Sequence, residues 1–568
     1  MDQRLISDSH KVYDSKLWLA SEWSFLAEGG QHLVCRYIGL TDSLQGMLLR
    51  FRKCSGECIA QRNQHSQLDA AYQELVVTPL FAADAEYIVN YSNVLVPSEF
   101  VDEIAAAIES IRSHSRKRLP LRLPAEHTAV SVQLLRDASV LSEPSEHVIS
   151  SLAFSDNQLR TIAHKENYEK YWAFDIKVKS GIQSTSPFVP ATRSVKRQFG
   201  RYSLMQCTKR AILNRGGVLN GDILWDPKAL SPYNPADLCS GDYKRIRSAL
   251  QALVVSPQNN LKAFAKANLV YSSVSDNWDK ACQLMASGPY AEGIVLESAT
   301  AVLCTEQVLP ILQRIQMIDI LEAEGASIVF ARLKRVLCCD VETAENFVVA
   351  AAVTTPVGSM SVAMVARLLQ QWIQAPHASA ERQLLEDQMP SCVSALLRLG
   401  SSFKDSPGAN LAHARNLEAA CSMIDSMDEW ACATLLNLYL LGLSAQDASV
   451  LISFAELPFK NTDLTTRAQD PSGAVCRAHC AREGLAVIHA SVFSTQEQNK
   501  PGIVELRCEC LCRDSRGRRV TTTRKIAYAA RVIDMGIKAA SKCWKKANAE
   551  YEVCVNANAE CKAYQATH

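Results

Sequence analysis

The feature that most constrains the fold is an alternating stretch at residues 174–181, with the sequence FDIKVKSG. Its β-branched residues favour a strand, and strand side chains alternate between faces, so Asp175, Lys177 and Lys179 are predicted to share one face. One interpretation, favoured by the pattern alone, is an antiparallel strand whose charged face is solvated. The other is the floor of a cleft that holds a strongly anionic ligand. The rest of the chain has to decide between them.

The bulk of the sequence limits the classes of protein. A length of 568 residues exceeds one typical core and predicts two lobes or more. Lys+Arg total 60 against 59 Asp+Glu, so any anion site must be local, and no nucleic-acid partner is predicted. The first residues lack a signal-peptide layout and the 20 cysteines are scattered, which predicts reduced thiols in a cytosolic or nuclear protein. The uncharged runs 347–366 and 430–446 are interpreted as buried helices, so no membrane partner is predicted.

The first part of the chain reads as a small sheet. Residues 23–34 predict a strand, a Gly29-Gly30 turn and a second strand, and residues 47–53 predict a third strand that carries Arg50. A glycine turn exposes backbone N–H groups to phosphate, and a neighbouring basic residue is what kinase-like lobes use. A plain hairpin turn is the alternative. Residues 130–135 predict a strand that ends at Arg136-Asp137.

The middle of the chain is predicted to be mostly helical. Residues 201–209 predict a helix with Arg201 and Lys209 on one face. Asn259-Asn260 follow Pro257 in a loop pattern, for which a simple turn or capping role is the alternative. Residues 275–445 predict a long helical block.

The last part changes character. Asp447 opens a predicted strand, and residues 503–512 and 518–533 predict a hairpin that ends directly before Asp534. Three cysteines at 508, 510 and 512 do not have zinc-site spacing and are interpreted as small core residues. A closing helix carries Lys538, Lys542 and Lys546 at i, i+4 and i+8, a repulsive stripe that is better explained if an anion covers it.

Several blocks together resemble one known family, the inositol-pentakisphosphate 2-kinases. The blocks are AEGGQHLV with LLRFRK, DIKVKSG, RYSLMQCTK, YNPADLCSG, SPQNNLKAF, QDASVLISF and VIDMGIKA. They occur in family order between residues 23 and 551, and YNPADLCSG followed by SPQNN is the most specific part.

The resemblance implies a mixed α/β (α+β) fold of the bilobal, diverged protein-kinase-like type. Residues 1–140 would form a nucleotide-binding N-lobe. Residues 141–568 would form an enlarged, largely helical C-lobe with the inositide site and helical insertions at about 275–445. The implied reaction transfers the γ-phosphate of ATP to the 2-hydroxyl of inositol 1,3,4,5,6-pentakisphosphate, giving inositol hexakisphosphate. ATP and Mg²⁺ are the implied cofactors, and a monomer that acts on this small molecule is expected.

The resemblance also assigns roles to individual residues. Asp447 would accept the proton of the attacking hydroxyl, with Lys179 beside it, and Asn260 and Asp534 would hold Mg²⁺. The residues that would contact ATP are Gly29, Gly30, Gln31, His32, Arg50, Arg136, Asp137 and Asp175. The residues that would contact the inositide are Arg122, Lys177, Lys179, Lys209, Asn259, Lys262, Lys538, Lys542 and Lys546. In-line phosphoryl transfer needs such cations and a carboxylate near the nucleophile.

The sequence departs from the family pattern at several places. Ala27 replaces the first glycine of the turn and Val178 replaces a proline. Lys262 stands where the family has arginine, and the closing helix has three lysines where the family has lysine, arginine and tyrosine. Lysine keeps the positive charge of arginine, but it lacks the planar guanidinium group that binds a phosphate through two parallel hydrogen bonds. The alternative function is therefore an inositol-polyphosphate-binding scaffold with weak or no kinase activity. The CxxC pair of plant members is missing, so no zinc is predicted. A third possibility, nucleic-acid binding through residues 513–519, rests on one short basic turn.

Overall fold

The computed structural model describes most of the chain. The described residues are 11–12, 18–28, 32–41, 44–53, 68–81, 87–89, 91–112, 129–139, 171–190, 195–214, 218–219, 223–224, 230–273, 277–286, 291–356, 358–401, 409–456, 487–495, 503–513 and 519–533. Within them, helices and two large sheets confirm the predicted mixed α+β class.

The first sheet contains six strands. They are β1 (Lys11–Val12), β2 (Trp23–Glu28), β3 (His32–Tyr37), β4 (Met47–Arg52), β5 (Tyr91–Pro97) and β6 (Ala129–Arg136). Their order is β1-β5-β6-β4-β3-β2, antiparallel except between β1 and β5. The alternating apolar residues of these strands pack on helix Ser98–Glu109, where Trp18, Trp23 and Phe100 form an aromatic cluster. The predicted strands at 23–28, 32–34, 47–52 and 130–135 are confirmed.

The second sheet contains seven strands. They are β7 (Tyr171–Lys177), β10 (Leu261–Ala265), β11 (Asn268–Tyr271), β12 (Ser449–Glu456), β13 (Val487–Thr495), β14 (Ile503–Arg513) and β15 (Arg519–Ile533), and a separate small pair is β8 (Val218–Leu219) with β9 (Ile223–Leu224). The order β11-β10-β7-β12-β15-β14-β13 is antiparallel throughout. The predicted hairpin at 503–533 is confirmed, and β7 is an interior strand with a neighbour on each side.

Fifteen α-helices are present among the described residues. They are α1 (Thr78–Phe81, after the π-helical turn Gln73–Val77), α2 (Ser98–Glu109), α3 (Arg201–Asn214), α4 (Pro235–Leu238), α5 (Tyr243–Val255), α6 (Trp278–Met285), α7 (Ala291–Thr305), α8 (Val308–Met317), α9 (Glu322–Leu337), α10 (Val341–Val353), α11 (Val362–Gln374), α12 (Ala380–Gln388), α13 (Ser391–Ser401), α14 (Ala409–Asp425) and α15 (Glu429–Gln446). The helical block predicted at 275–445 is therefore present as α6–α15.

The helix α15 is the central helix of this block. Its surface is mostly apolar all round, as expected of a helix with neighbours on every side, and 13 of its 18 residues are buried. No single described helix is long and apolar enough to cross a membrane; α7 and α8, which meet at a bend of 57°, pass that test only as a pair.

The two sheets are joined by polar contacts at the end of β6. Arg36 of β3 donates to Asp137 Oδ2 (2.6 Å) and to Ser139 Oγ (3.2 Å), and it also donates to the carbonyl of Ala267, in the turn between β10 and β11. The Ser453 hydroxyl of β12 donates to the carbonyl of Ala138. The segment 137–139 is thus held from both sheets.

Candidate active site

The candidate site is built around β7. Asp175 lies opposite Lys262 of β10 and Leu451 of β12, and its Oδ2 is 3.8 Å from Lys262 Nζ. Asp175 is 9% exposed and Lys177 is half-buried. The charged face of β7 is therefore not an open, solvated face, which favours the cleft interpretation.

Lys179 reaches the site by a turn and not by strand alternation. β7 ends at Lys177, and Lys179 has a φ of 60°, in the left-handed region that a side chain with a Cβ disfavours by roughly 1–2 kcal/mol. The prediction that alternation places Lys179 on the face of Asp175 and Lys177 is therefore wrong. Instead, Lys179 Nζ lies 3.1 Å from Asp447 Oδ1.

Asp447 occupies the junction between α15 and β12. Its N–H donates to the carbonyl of Ser444, which closes the helix, and β12 begins two residues later. Its side chain is 33% exposed, so a ligand can reach it, and the Lys179 side chain beside it is 16% exposed. The N–H of Val178 donates to the carbonyl of Ala448 (3.1 Å). The family proline at this position could not make that bond.

The amide oxygen of Asn260 has no hydrogen-bond partner among the described residues. Asn260 is 1% exposed and is the last residue of the turn 257–260, where its own N–H donates to the carbonyl of Pro257. Its Nδ2 donates to the hydroxyl of Tyr202 (3.0 Å), while Oδ1 has no hydrogen bond within the described chain. A buried carbonyl oxygen in this state is costly unless a ligand satisfies it. Amide oxygen is a group that Mg²⁺ accepts, so Asn260 fits the metal role. The neighbouring Asn259 is exposed.

Tyr202 is a residue that the sequence interpretation did not single out. Burial raises the pKa of its phenol, and hydrogen bonds with Ser231, Asn260 and Gln206 oppose this only in part. Its ring packs edge-on against Tyr233, whose hydroxyl donates to the carbonyl of Val178 (2.8 Å). The only sequence signal was its place in the RYSLMQCTK block.

A second cation lies close to Lys179. Burial and the positive charge of Lys179 lower the pKa of Lys209, on α3. Arg201 of the same helix donates to Gln446 Oε1 (3.1 Å), one residue before Asp447. An anion bound between Lys179 and Lys209 would relieve their mutual repulsion. The predicted shared face of Arg201 and Lys209 therefore lies toward the junction of α15 and β12.

A cavity of about 160 Å³ opens beside the Lys179–Asp447 pair. Its lining includes the apolar side chains of Phe199, Leu204 and Leu443 and also the carboxyl of Asp319. Lys177, Lys209 and Lys262 do not line it. Of the described lysines predicted to contact substrate, only Lys179 therefore lines this cavity.

The buried carboxyl of Asp319 should make stability depend on pH. Burial, with a smaller contribution from the charge of Glu322, raises its pKa to about 8 although two backbone N–H groups donate to it. The folded protein therefore holds a proton that an unfolded chain releases above its ordinary carboxyl pKa, and stability is lost as pH rises toward 8. We expect Asp319→Asn to flatten the fall of the melting temperature between pH 5 and pH 8. Asp102→Asn, an exposed carboxylate on α2, is the control; equal slopes for Asp319→Asn and wild type would contradict the prediction.

The first sheet carries three of the residues predicted to contact ATP: His32, Arg50 and Arg136. Arg50 Nη2 lies 3.1 Å from His32 Nδ1, and Arg50 is opposite Val34 and Gln133 in the sheet. Arg136 is exposed at the end of β6. The carboxylate of Asp137 is buried and accepts hydrogen bonds from Arg36 and Ser139, so its described contacts are structural. Its backbone N–H donates to the carbonyl of Gly46 (2.8 Å), so the role predicted for Asp137 toward ATP stays a prediction.

Several predicted site residues lie outside the described residues. They are Gly29, Gly30, Gln31, Arg122, Asp534, Lys538, Lys542 and Lys546. The described part of β15 ends at Ile533, opposite Ser449 of β12. Within the described residues, no group of three or more His, Cys, Asp or Glu is arranged to hold a metal ion. The roles assigned to all of these residues stay predictions.

Comparison with known proteins identifies the family. A model of the family "Inositol-pentakisphosphate 2-kinase" matches residues 25–552. The chain belongs to this family. The match extends from within β2 past the end of β15, so it includes the second sheet, all of the first sheet except β1 and the start of β2, the helical block and the Lys179–Asp447 pair. The resemblance predicted from the sequence blocks is confirmed, as is membership of a family of kinases that act in inositol phosphate metabolism.

Individual relatives are distant. An inositol-pentakisphosphate 2-kinase of Oryza sativa subsp. indica is 23% identical over 278 residues, which is 46% of this chain and 55% of the relative. An inositol-pentakisphosphate 2-kinase of Arabidopsis thaliana is 24% identical over 265 residues, 44% of this chain and 53% of the relative. The matched stretch spans about half the length of these curated relatives.

Proposed function

We propose that this family member transfers the γ-phosphate of ATP to the 2-hydroxyl of inositol 1,3,4,5,6-pentakisphosphate, giving inositol hexakisphosphate and ADP. The observation that carries the proposal is the pair of Lys179 Nζ and Asp447 Oδ1, 3.1 Å apart and accessible at the junction of α15 and β12. A carboxylate held beside an ammonium group suits a hydroxyl nucleophile that attacks a phosphoryl group.

Asp447 is the proposed general base. It accepts the proton of the 2-hydroxyl while the hydroxyl oxygen bonds to the γ-phosphorus and the bond from that phosphorus to ADP breaks. The positive charge of Lys179 stabilises the negative charge that develops on the acceptor hydroxyl oxygen as its proton leaves. Asn260 would hold Mg²⁺ together with Asp534, through the Oδ1 that has no partner in the part of the chain that the structure describes. Bound Mg²⁺ would neutralise charge on the ATP phosphates.

Lysines around β7 are proposed to bind the inositide phosphates. Lys262 of β10 is directly opposite Asp175 in the sheet, Lys177 lies two residues after Asp175 on β7, and Lys209 is close to Lys179. A substrate with five phosphates must be desolvated by several cations at once. These local cations explain how a chain with a net charge of +1 can bind such an anion.

The two sheets are proposed to be the sheets of the two lobes of a kinase-like fold. The first sheet, with Arg50 and His32, would bind the ATP phosphates, and segment 137–139 would be the hinge. The contacts of Arg36 with Asp137, Ser139 and Ala267 support this division, because they join the sheets at one place.

The test is an assay with defined components. The folded protein is incubated with ATP, Mg²⁺ and inositol pentakisphosphate, and the products are separated by anion-exchange chromatography. We expect inositol hexakisphosphate to appear with ADP. Inositide binding without any product would instead favour the scaffold alternative.

Reversing the charges on β7 and its turn should weaken inositide binding. We expect Lys177→Glu and Lys179→Glu each to lower the affinity for inositol pentakisphosphate by at least about tenfold, since each loses a charge-assisted contact and adds repulsion. Isothermal titration calorimetry at two ionic strengths measures this. Lys280→Glu, on the exposed side of α6, makes the same charge change and should leave affinity nearly unaltered. Unchanged affinity in both the Lys177 and the Lys179 variant would show that these lysines do not bind the inositide.

A further inference from the structure

The Lys179–Asp447 pair depends on the relative position of two backbone segments that are far apart in sequence. Lys179 lies in the turn after β7 and Asp447 follows α15, 268 residues later. The turn has left-handed backbone at Lys179, a conformation that does not persist without support from its surroundings. Something must therefore hold the turn against the end of α15.

One buried side chain bonds to both segments. Gln316 of α8 is 1% exposed, and its Nε2 donates to the carbonyl of Lys179 (2.9 Å) and to the carbonyl of Ala445 (3.2 Å). A primary amide has two N–H donors, so both are used. One amide group thus joins the backbone of the first member of the pair to a residue two positions before the second member.

The packing of α8 on α15 places Gln316 at that position. A Cβ at Gly442 of α15 would lie 2.7 Å from Asp319 Cβ and 3.3 Å from the carbonyl oxygen of Gln316. The close approach of the two helices therefore requires glycine at 442. The N–H of Val178 also donates to the carbonyl of Ala448, a bond that holds the end of β7 but does not involve the carbonyl of Lys179.

We propose that Gln316 is a positioning residue for phosphoryl transfer: its amide fixes the Lys179 turn against the end of α15, so that the Lys179 ammonium and the Asp447 carboxylate meet. Gln316 does not touch substrate in this account. It acts through Lys179, so its contribution disappears when the Lys179 side chain is removed. The proposal rests on the proposed kinase activity for its kinetic readout.

The test combines a double-mutant cycle with a matched control. Gln316→Met keeps length and apolar packing and removes both donors. We expect kcat to fall by about 10-fold to 100-fold in the wild-type background, the range seen when a supporting hydrogen bond is lost, and by less than about twofold in the Lys179→Ala background. Asn437→Leu is the control, because Asn437 Nδ2 is equally buried and donates to two carbonyls, of Val348 and Ala433, away from the site. It should lower the melting temperature and leave kcat unchanged.

Two results would overturn the proposal: the same fold-loss of kcat from Gln316→Met in both backgrounds, or an equal loss of kcat in Asn437→Leu. If Gln316→Met does not fold, Gly442→Ala disturbs the same junction and should give the same Lys179-dependent loss of kcat.

Hydrogen exchange measured by mass spectrometry tests the positioning role without a kinase assay. Gln316→Met should speed exchange of the peptide around residues 178–182 selectively, and unchanged exchange there would contradict the proposal even if the wild type transfers no phosphate.

Discussion

Asp447→Asn is expected to lower turnover by about 1,000-fold, within the range that a general base contributes, while inositide affinity changes little. The amide keeps the size of the carboxylate and can still accept a hydrogen bond from Lys179, 3.1 Å away, but it cannot take the proton of the hydroxyl. Turnover is measured by ADP release and by inositol hexakisphosphate formation, and affinity by calorimetry.

The control for this variant lies at the other end of the same helix. Asp428 caps the N-terminus of α15, where its side chain accepts from the N–H of Ala431 (2.7 Å). Asparagine is also a good capping residue, so Asp428→Asn should keep both the helix and the turnover. Normal turnover by Asp447→Asn would show that the base is assigned to the wrong residue.

Asn260→Ala is expected to lower kcat/KM for Mg-ATP by about 100-fold, or about 2.7 kcal/mol of transition-state stabilisation. The variant removes the buried Oδ1 that has no partner in the described chain. The dependence on Mg²⁺ concentration should shift to higher concentration, as it should in Asp534→Asn, if both residues hold the metal.

The adjacent asparagine provides the comparison. Asn259 is exposed and is predicted to contact the inositide, so Asn259→Ala should raise KM for the inositide and leave the Mg²⁺ dependence unaltered. The pKa of Tyr202 is raised, so its hydroxyl stays neutral and should still bond to the amide of Asn260 in the Asn259→Ala variant. If Asn260→Ala keeps the wild-type Mg²⁺ dependence, Asn260 is a turn residue, as the simpler interpretation of the loop holds.

Local patterns predicted most of the elements that carry the site. The alternation at 174–177, the strand ending at Arg136 and the apolar run of α15 each depend on near neighbours in sequence, and the structure has them. The placement of Lys179 was not predictable in this way. Its left-handed backbone ends the alternation, and nothing in the eight residues of the block indicates that turn.

Contacts between distant segments were the larger omission. Gln316 lies in an ordinary amphipathic helix, and only the folded chain shows that its amide bonds to Lys179 and Ala445. The exposed Asn259 and the buried Asn260 have the same side chain, so the sequence alone could separate their roles only through the family resemblance. Asp137 was predicted from its place at the end of β6, and Arg36, its partner, is 101 residues away.

The proposed phosphorylation of the 2-hydroxyl of inositol pentakisphosphate is tested by phosphorus and proton NMR of the reaction product. The wild-type protein is incubated with ATP, Mg²⁺ and inositol 1,3,4,5,6-pentakisphosphate, with Asp447→Asn in parallel. We expect one additional phosphate ester, at the 2-position, in the wild-type reaction and essentially none in the variant. A folded wild-type protein that binds the inositide and yields no new ester, or an ester formed equally by the variant, would contradict it.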